Sequence, residues 1–99
     1  MIRGTTPTHT FTLPFDTENI DSVRIAYAQG GAVIFTKETG DCALKSDTIT
    51  VKLTQKETLQ LDDKQMVEIQ LRVRLMDGEA LSTPIMRKSV GECLDGAVL

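Results

Sequence analysis

Hydrophobic and polar residues alternate strictly from Val67 to Leu75, where every odd position is apolar and every even position is charged or an amide. A period of two residues is typical of a β-strand with one face on a core and the other in water. Asp77-Gly78 follows this run, and that dipeptide favours a tight hairpin turn. The pattern therefore predicts a long central strand that turns back on a neighbouring strand.

Shorter alternating runs predict the strands that cover this one. They lie at 8–13, 20–28, 32–39, 42–44, 48–54 and 80–90. The predicted inward residues are Val23, Ile25 and Tyr27, then Val33 and Phe35, then Ile49, Val51 and Leu53. Gln29-Gly30-Gly31 predicts a hairpin turn. Because prolines bracket the first run and Pro84 interrupts the last, we expect both runs at sheet edges or beside a bulge.

A single helical element is predicted between the strands at 48–54 and 67–75. Thr54 precedes Glu57 by three positions, which is the capping-box pattern, and the helical turn should end near Leu61. Six or seven short antiparallel strands with one short helical turn are typical of an immunoglobulin-like β-sandwich. A small β-barrel is the alternative. We expect one domain over residues 1–99, with 91–99 as a flexible or docking tail.

Composition narrows the possible partners. The chain has 99 residues, of which 40% are hydrophobic and 25% charged, as in an ordinary globular domain. Its net charge of −3 argues against a nucleic-acid partner, which needs a basic surface. No apolar run approaches the ~18 residues of a membrane helix, and the N-terminus has no signal-peptide apolar region. We therefore expect no membrane partner and a cytoplasmic location.

Few residues suggest catalysis or a cofactor. His9 is the only histidine, and a lone histidine is most often a partly buried structural residue. Cys42 and Cys93 fit two reduced thiols in the cytoplasm, although the sequence does not give their separation. With these ligands a zinc site is not expected, and neither is any other cofactor. An enzyme would have to depend on His9.

An acidic loop is the one candidate cation site. Asp16, Glu18 and Asp21 lie within six positions and carry the oxygen ligands that calcium prefers. The loop does not have the spacing of the twelve-residue calcium loop, and acid-rich loops are commonly solvated. We expect no bound metal, and whether this loop takes a cation stays open.

Two surfaces are candidates for protein contacts. The outward face of the central strand carries Glu68, Gln70, Arg72 and Arg74, and the paired strand is expected to add Ser82, Met86 and Lys88 to it. This is either a solvated face or an interface, where arginine is favoured. The apolar tail either folds onto its own core or docks on a neighbour. The candidate interface residues are Glu68, Gln70, Arg72, Arg74, Lys88, Leu94, Val98 and Leu99.

The chain resembles small prophage-encoded proteins of Firmicutes in four segments, which are 1–11, 51–59, 67–73 and 89–95. The pattern Leu-Thr-x-x-x-Thr-Leu at 53–59, followed by Val-x-Ile-Gln-Leu-Arg at 67–72, is also similar to the N-terminal domain of phage baseplate upper proteins. This resemblance implies an immunoglobulin-like sandwich that acts as a virion attachment or connector module. The expected location is the cytoplasm of a bacterial host, or the virion once the protein is assembled into it. The resemblance supplies no catalytic residues.

Our first hypothesis is a non-enzymatic structural or connector component of a phage tail or baseplate, bound to itself as a homo-oligomer or to other phage structural proteins. The alternative is a soluble prophage-encoded module that recognises a host protein or, less favoured, a glycan. A glycan is less favoured because sugar sites use exposed aromatic residues, and most of the four aromatic residues are expected inside.

Overall fold

The computed structural model describes all 99 residues. Its elements are β1 Thr8–Thr12, β2 Ile20–Gln29, β3 Ala32–Glu38, β4 Cys42–Lys45, β5 Thr48–Lys52, α1 Gln55–Leu59, β6 Val67–Leu75, β7 Ala80–Ser82 and β8 Met86–Lys88. One sheet has the strand order β1-β5-β4 and the other has the order β3-β2-β6-β7, with β8 also paired to β6. All strand pairs are antiparallel. No helix is long and apolar enough to cross a membrane.

The core lies between the two sheets and follows the predicted alternation of β2, β5 and β6. Tyr27, Ile25 and Ile49 have no exposed surface. The odd-numbered residues of β6 from Val67 to Val73 are all buried beside them. Each fully buried aliphatic or aromatic side chain contributes about 1.5–3 kcal/mol relative to an exposed one. The inward faces of these three strands are confirmed.

The helix α1 begins at the predicted capping box. The Thr54 hydroxyl accepts a hydrogen bond from the Glu57 N–H at 3.1 Å, and the Glu57 carboxylate accepts one from the Thr54 N–H at 2.8 Å. Thr58 is fully buried, donates its hydroxyl to the Thr5 carbonyl at 2.9 Å and accepts from the Gly4 N–H at 3.0 Å. The helix is therefore tied to the N-terminal segment, and it ends at Leu59 rather than near Leu61.

The inner face of β3 differs from the prediction because this strand contains a bulge. Tyr27 of β2 pairs with Phe35, but its neighbour Ala28 pairs with Val33, so Ile34 is an extra residue. The bulge turns Val33 outward, where it is 59% exposed, and the prediction that it faces the core was wrong. Phe35 does face the core and stacks on Tyr27 with ring centroids 4.6 Å apart.

The predicted final strand is divided into β7 and β8. The Thr83 N–H donates to the Leu71 carbonyl at 2.9 Å, and Pro84 follows at the sheet edge. Between β7 and β8 the register against β6 shifts by one residue: Ser82 pairs with Arg72, but Met86 pairs with the buried Ile69. The edge position of Pro84 is confirmed, and the prediction that Met86 faces outward was wrong.

The hairpin between β2 and β3 turns at Gly30 and Gly31, whose φ angles of 58° and 81° favour glycine. Gln29 belongs to the strand rather than to the turn, and it is buried. Its side-chain amide donates to the Asp62 carbonyl at 2.7 Å, and its side-chain oxygen accepts from the Asp62 N–H at 2.8 Å. This buried glutamine fixes the connection that leads from α1 into β6.

The two ends of the chain meet at one end of the sandwich. Ile2 forms a parallel bridge with Gly91. Beyond it, the tail runs along α1, where the Gln55 side chain accepts from the Leu99 N–H at 2.7 Å and donates to the Leu99 carbonyl at 3.3 Å. The apolar tail side chains do not enter the core, since Leu94, Val98 and Leu99 are 98%, 61% and 101% exposed.

Candidate interaction surface

The even-numbered residues of β6 lie on the side of the five-stranded sheet that faces away from the core, which we call the outer face. Glu68 and Gln70 are half-buried there and hold neighbouring strands. The Glu68 carboxylate accepts from the Gly31 N–H at 3.1 Å and from Arg87 at 3.2 Å. The Gln70 amide donates to the Thr83 carbonyl at 3.0 Å. These two side chains therefore hold neighbouring segments of the face together and do not project into solvent.

The outer face has a basic end around Arg24, Arg72 and Arg74. They line a groove of about 300 Å³ together with Glu38 and smaller residues of β2 and β7. Arg24 pairs with Glu38 at 3.2 Å, and the Nε of Arg74 lies 2.9 Å from an oxygen of Asp21.

Arg72 lies directly across the strand pair from Arg24. Like charges in that position repel, so an anionic group between the two guanidinium groups would relieve the repulsion. The existing ion pair of Arg24 with Glu38 is exposed, and such pairs contribute only about 0–1 kcal/mol. An acidic partner could therefore displace it at little cost in free energy.

The other end of the outer face is apolar. Val33 and Ile85 are 59% and 48% exposed and flank a hollow of about 200 Å³ that Ala26, Ala28 and Gln70 also line. The bulge in β3 creates this end by turning Val33 outward. Exposed apolar side chains beside arginines are a composition that protein interfaces favour.

The structure does not place all the predicted interface residues on this face. Lys88 pairs with the buried Val67, so the register shift at Pro84 turns it toward the space between the sheets, where it lines a hollow with His9. The prediction that Lys88 lies on the outward face was wrong. The tail residues Leu94, Val98 and Leu99 lie elsewhere, along the α1 end.

Several residues of the outer face were not among the predicted candidates. They are Arg24, Val33, Ile85 and Arg87. Arg24 alone carried a usable signal, because it occupies an outward position of β2. The others depend on the bulge in β3 and on the register shift at Pro84, which alternation cannot reveal.

His9 contacts Tyr27 rather than a reactive group. Its Nδ1 lies 2.7 Å from the Tyr27 hydroxyl, and the two rings stack with centroids 5.7 Å apart. Burial, followed by the charges of Lys88 and the N-terminal amine, lowers the pKa of His9. Burial also raises the pKa of Tyr27, with further contributions from Cys42 and Glu57. The tyrosine O–H therefore donates to a neutral imidazole, and the pair joins β1 to β2 across the core.

The remaining candidates for chemistry are dispersed. Cys42 and Cys93 are both free thiols, and burial is the main cause that raises the pKa of Cys42. Asp16 caps a short turn by accepting from the Glu18 N–H at 2.9 Å, and Asp21 pairs with Arg74. No three histidine, cysteine, aspartate or glutamate residues lie together in a group that could hold a metal ion.

Comparison with protein-family models and with curated proteins finds no match. The resemblance to prophage proteins therefore stays a prediction. Among solved structures, two crystal structures of mouse leukocyte-associated immunoglobulin-like receptor 1 are similar to this chain, one of its immunoglobulin-like domain and one of its extracellular domain. Both are strand-swapped dimers. Both have a TM-score of 0.54 and identities of 11% and 10%, covering 91% of this chain and 83% of the receptor chain.

The sheet topology explains this match. The order β3-β2-β6-β7 corresponds to the strands C′, C, F and G of an immunoglobulin domain, and β1-β5-β4 corresponds to B, E and D. Tyr27 occupies the C strand, where antibody domains place a buried tryptophan. At this low identity the similarity establishes the fold alone. The chain therefore has an immunoglobulin-like β-sandwich fold, as the alternation of its sequence predicts.

Proposed function

We propose that this chain is a non-enzymatic protein-interaction module and serves as a structural or connector component of a phage tail or baseplate. The observation that carries the proposal is the outer face, where a basic groove and an apolar hollow lie side by side on one rigid sheet. The sequence resemblance to prophage proteins and baseplate upper proteins supplies the biological setting. The partners are other copies of the chain or other phage structural proteins.

The size of the outer face supports this role. The sheet is four strands wide, because β7 and β8 follow one another along the same side of β6. At ~4.8 Å spacing, and with a central strand of ~30 Å, its face is roughly 550–600 Å². Standard stable interfaces bury about 800 Å² on each partner. The outer face is smaller than this standard, but two such faces together exceed the total of about 1,000 Å² that a specific interface needs.

The side chains that could take part in catalysis already have structural partners, and this favours a role other than catalysis. His9 is bonded to Tyr27, and the carboxylates of Asp16 and Asp21 are engaged by a backbone N–H and by Arg74. The groups that remain free on the outer face are the Arg72 guanidinium and the exposed apolar side chains of Val33 and Ile85. Such groups bind protein surfaces, and acidic ones in particular.

Incorporation into particles tests the proposal. The gene is deleted from the prophage-bearing strain and replaced by variants, and particles from an induced culture are purified and examined by mass spectrometry. We expect wild-type protein in the particles and loss of the variant R24E/R72E. The matched control is K45E/K52E, which makes the same change in net charge on exposed residues of the other sheet. Particles that never contain the wild-type protein would refute the role.

A second candidate is a soluble module that binds a host protein, and the exposed Arg72 favours it because an acidic surface would fit between this guanidinium and Arg24. In that case the protein is absent from particles. An identified host protein is then retained by immobilised wild-type chain and by K45E/K52E, but not by R24E/R72E. A glycan array tests the less favoured sugar ligand.

A further inference from the structure

A second apolar surface lies along the side of the sandwich, between the edge formed by β1 and the edge formed by β7 and β8. We call it the side groove. Its two hollows, of about 200 and 260 Å³, follow one another along β1 and its extension to Phe15. Half-buried apolar side chains from both edges line it: Phe11, Leu13, Phe15, Leu81 and Met86. The groove is therefore an incompletely covered part of the core.

The β1 edge of this groove has free backbone groups. Leu13 donates to the Asp47 carbonyl at 2.7 Å, and Leu53 donates to the Pro7 carbonyl at 2.9 Å, so the odd-numbered residues of this segment pair with β5. In an antiparallel pair the alternate residues point the other way. The N–H and C=O groups of Thr8, Thr10 and Thr12 therefore point away from β5, where another strand could pair with them.

The β1 strand also lacks charged residues, which are one usual protection of a sheet edge. Natural edge strands carry charged residues that oppose pairing with another chain. β3 carries Lys37 and Glu38, β4 carries Lys45, and β8 carries Arg87 and Lys88, but the β1 sequence Thr-His-Thr-Phe-Thr has no lysine, arginine or acidic residue. An uncharged edge beside an apolar groove is the arrangement that strand addition uses.

We propose that the side groove accepts the tail, residues 91–99, of a second copy as an added strand on β1. The inference rests on the proposed function, because it supplies a means by which copies of the module assemble. The tail has the side chains to fill an apolar groove, since Leu94 and Leu99 are almost wholly exposed in their own chain and Val98 is 61% exposed. Nine extended residues span ~30 Å, well beyond the ~17 Å of β1.

Charge and position also favour the tail as the occupant. Residues 91–99 contain Glu92 and Asp95 but no lysine or arginine. The charged groups at the β8 end of the groove are positive: they are Lys88 and the N-terminal amine, which both lower the pKa of His9. The tail leaves the fold at Gly91, just beyond this end, and its bridge with Ile2 and its bonds with Gln55 direct it along α1. In its own chain the tail therefore lies along α1 rather than in the side groove, and the proposal places it in the groove of a neighbouring copy.

The exchange requires little to be broken. Two exposed hydrogen bonds between Gln55 and Leu99 hold the tail end, and each typically contributes about 0.5–1.5 kcal/mol. In the proposed complex, backbone pairing with Thr8, Thr10 and Thr12 replaces them. Burial of the leucine and valine side chains against Phe11 and Leu13 is an additional gain.

Sedimentation equilibrium over a wide concentration range tests the inference with three variants. The first is a chain that ends at Glu92, which keeps the Gly91 bridge. The second is Thr10→Pro, which removes an N–H that points into the groove while leaving the β1–β5 bonds in place. The third is L94D/V98D, with Met76→Asp as its matched control because Met76 is 67% exposed at the distant hairpin. Circular dichroism verifies that every variant is folded.

We expect the full chain and Met76→Asp to associate, and we expect the dissociation constant to rise about tenfold or more in each of the three variants. A synthetic peptide of residues 91–99, added to the chain ending at Glu92, should shift the amide NMR signals of Thr8, Thr10 and Thr12. The same peptide should leave the Thr10→Pro variant unshifted.

Three results would overturn the inference. Association of the chain ending at Glu92 with the same affinity as the full chain would rule out the tail, while particle incorporation could still support the proposed function. A full chain that remains monomeric would rule out the second copy as the occupant, and a peptide that shifts no β1 amide would rule out the groove as its site. If the wild-type protein is also absent from particles, the proposed function fails separately.

Discussion

Lys37 and Glu57 form an ion pair that links β3 to α1, and its removal gives the most direct test of how the sandwich is stabilised. The Lys37 ammonium lies 2.7 Å from the Glu57 carboxylate, and the two side chains are only 8% and 20% exposed. The same carboxylate oxygen accepts the Thr54 N–H that begins α1. The substitution Glu57→Ala therefore leaves both a buried ammonium and a helix cap without their acceptor.

The structure predicts that removing Glu57 lowers the free energy of unfolding more than removing Lys37. We expect Glu57→Ala to lower the free energy of unfolding by about 3–4 kcal/mol, because removing one partner of a buried pair costs roughly 3–5 kcal/mol. Lys37→Met should cost only about 1 kcal/mol, since Glu57 keeps the Thr54 N–H and some access to water. The double variant leaves no charge unpaired, so it should lose little more than the cap, about 1 kcal/mol.

Urea unfolding followed by circular dichroism measures all four proteins in a double-mutant cycle. For a domain of this size, the loss in Glu57→Ala corresponds to a fall in Tm of about 15–25 °C, and adding Lys37→Met should restore most of it. If the double variant were as unstable as the sum of the two single variants, the pair would not be coupled and the reasoning would be refuted.

Three further predictions concern the core. Gln29→Ala should lower the free energy of unfolding by about 2–3 kcal/mol in urea unfolding, because the buried polar groups of Asp62 lose their partner; a change below 0.5 kcal/mol would contradict this. Because the pKa of His9 is lower in the folded protein, the unfolded state binds a proton at this residue more readily. Stability should therefore fall as pH drops below about 6.5, and it should level off below the pKa that His9 has in the folded state. His9→Phe should remove that slope, as urea unfolding at several pH values would show. Val33→Thr should change the free energy of unfolding by less than about 0.5 kcal/mol because Val33 faces outward, whereas Phe35→Ala should lower it by about 3 kcal/mol because Phe35 packs on Tyr27. Thermal unfolding measures both, and a larger loss for Val33→Thr would refute the bulge.

The fold was predictable from the sequence because the strongest alternation coincides with the elements that carry the core. Each inward residue of β2, β5 and β6 has an apolar neighbour two positions away, and burial selects one register. The capping box of Thr54 and Glu57 was predictable for a similar reason, since its hydrogen bonds join residues only three positions apart.

The features that the sequence did not predict all depend on contacts between distant segments. The bulge at Ile34 and the shift at Pro84 change which side chains face outward, and no local pattern marks the position of an extra residue. Lys37 falls on the inward side of β3 because Glu57, twenty positions later, supplies its partner. The outer face could therefore be predicted along β2 and β6 but not along β3 and β8.

The parallel bridge between Ile2 and Gly91 has a consequence for a protein under mechanical tension. Gly91 donates to the Met1 carbonyl at 2.6 Å, Arg3 donates to the Gly91 carbonyl at 3.2 Å, and the Met1 amine donates to the Ser89 carbonyl at 3.0 Å. A force that pulls the first residues and the tail in opposite directions loads these three bonds in shear before it reaches any strand of the two sheets. The bridge would thus yield first, as a short extensible link, while the packed interior stays intact.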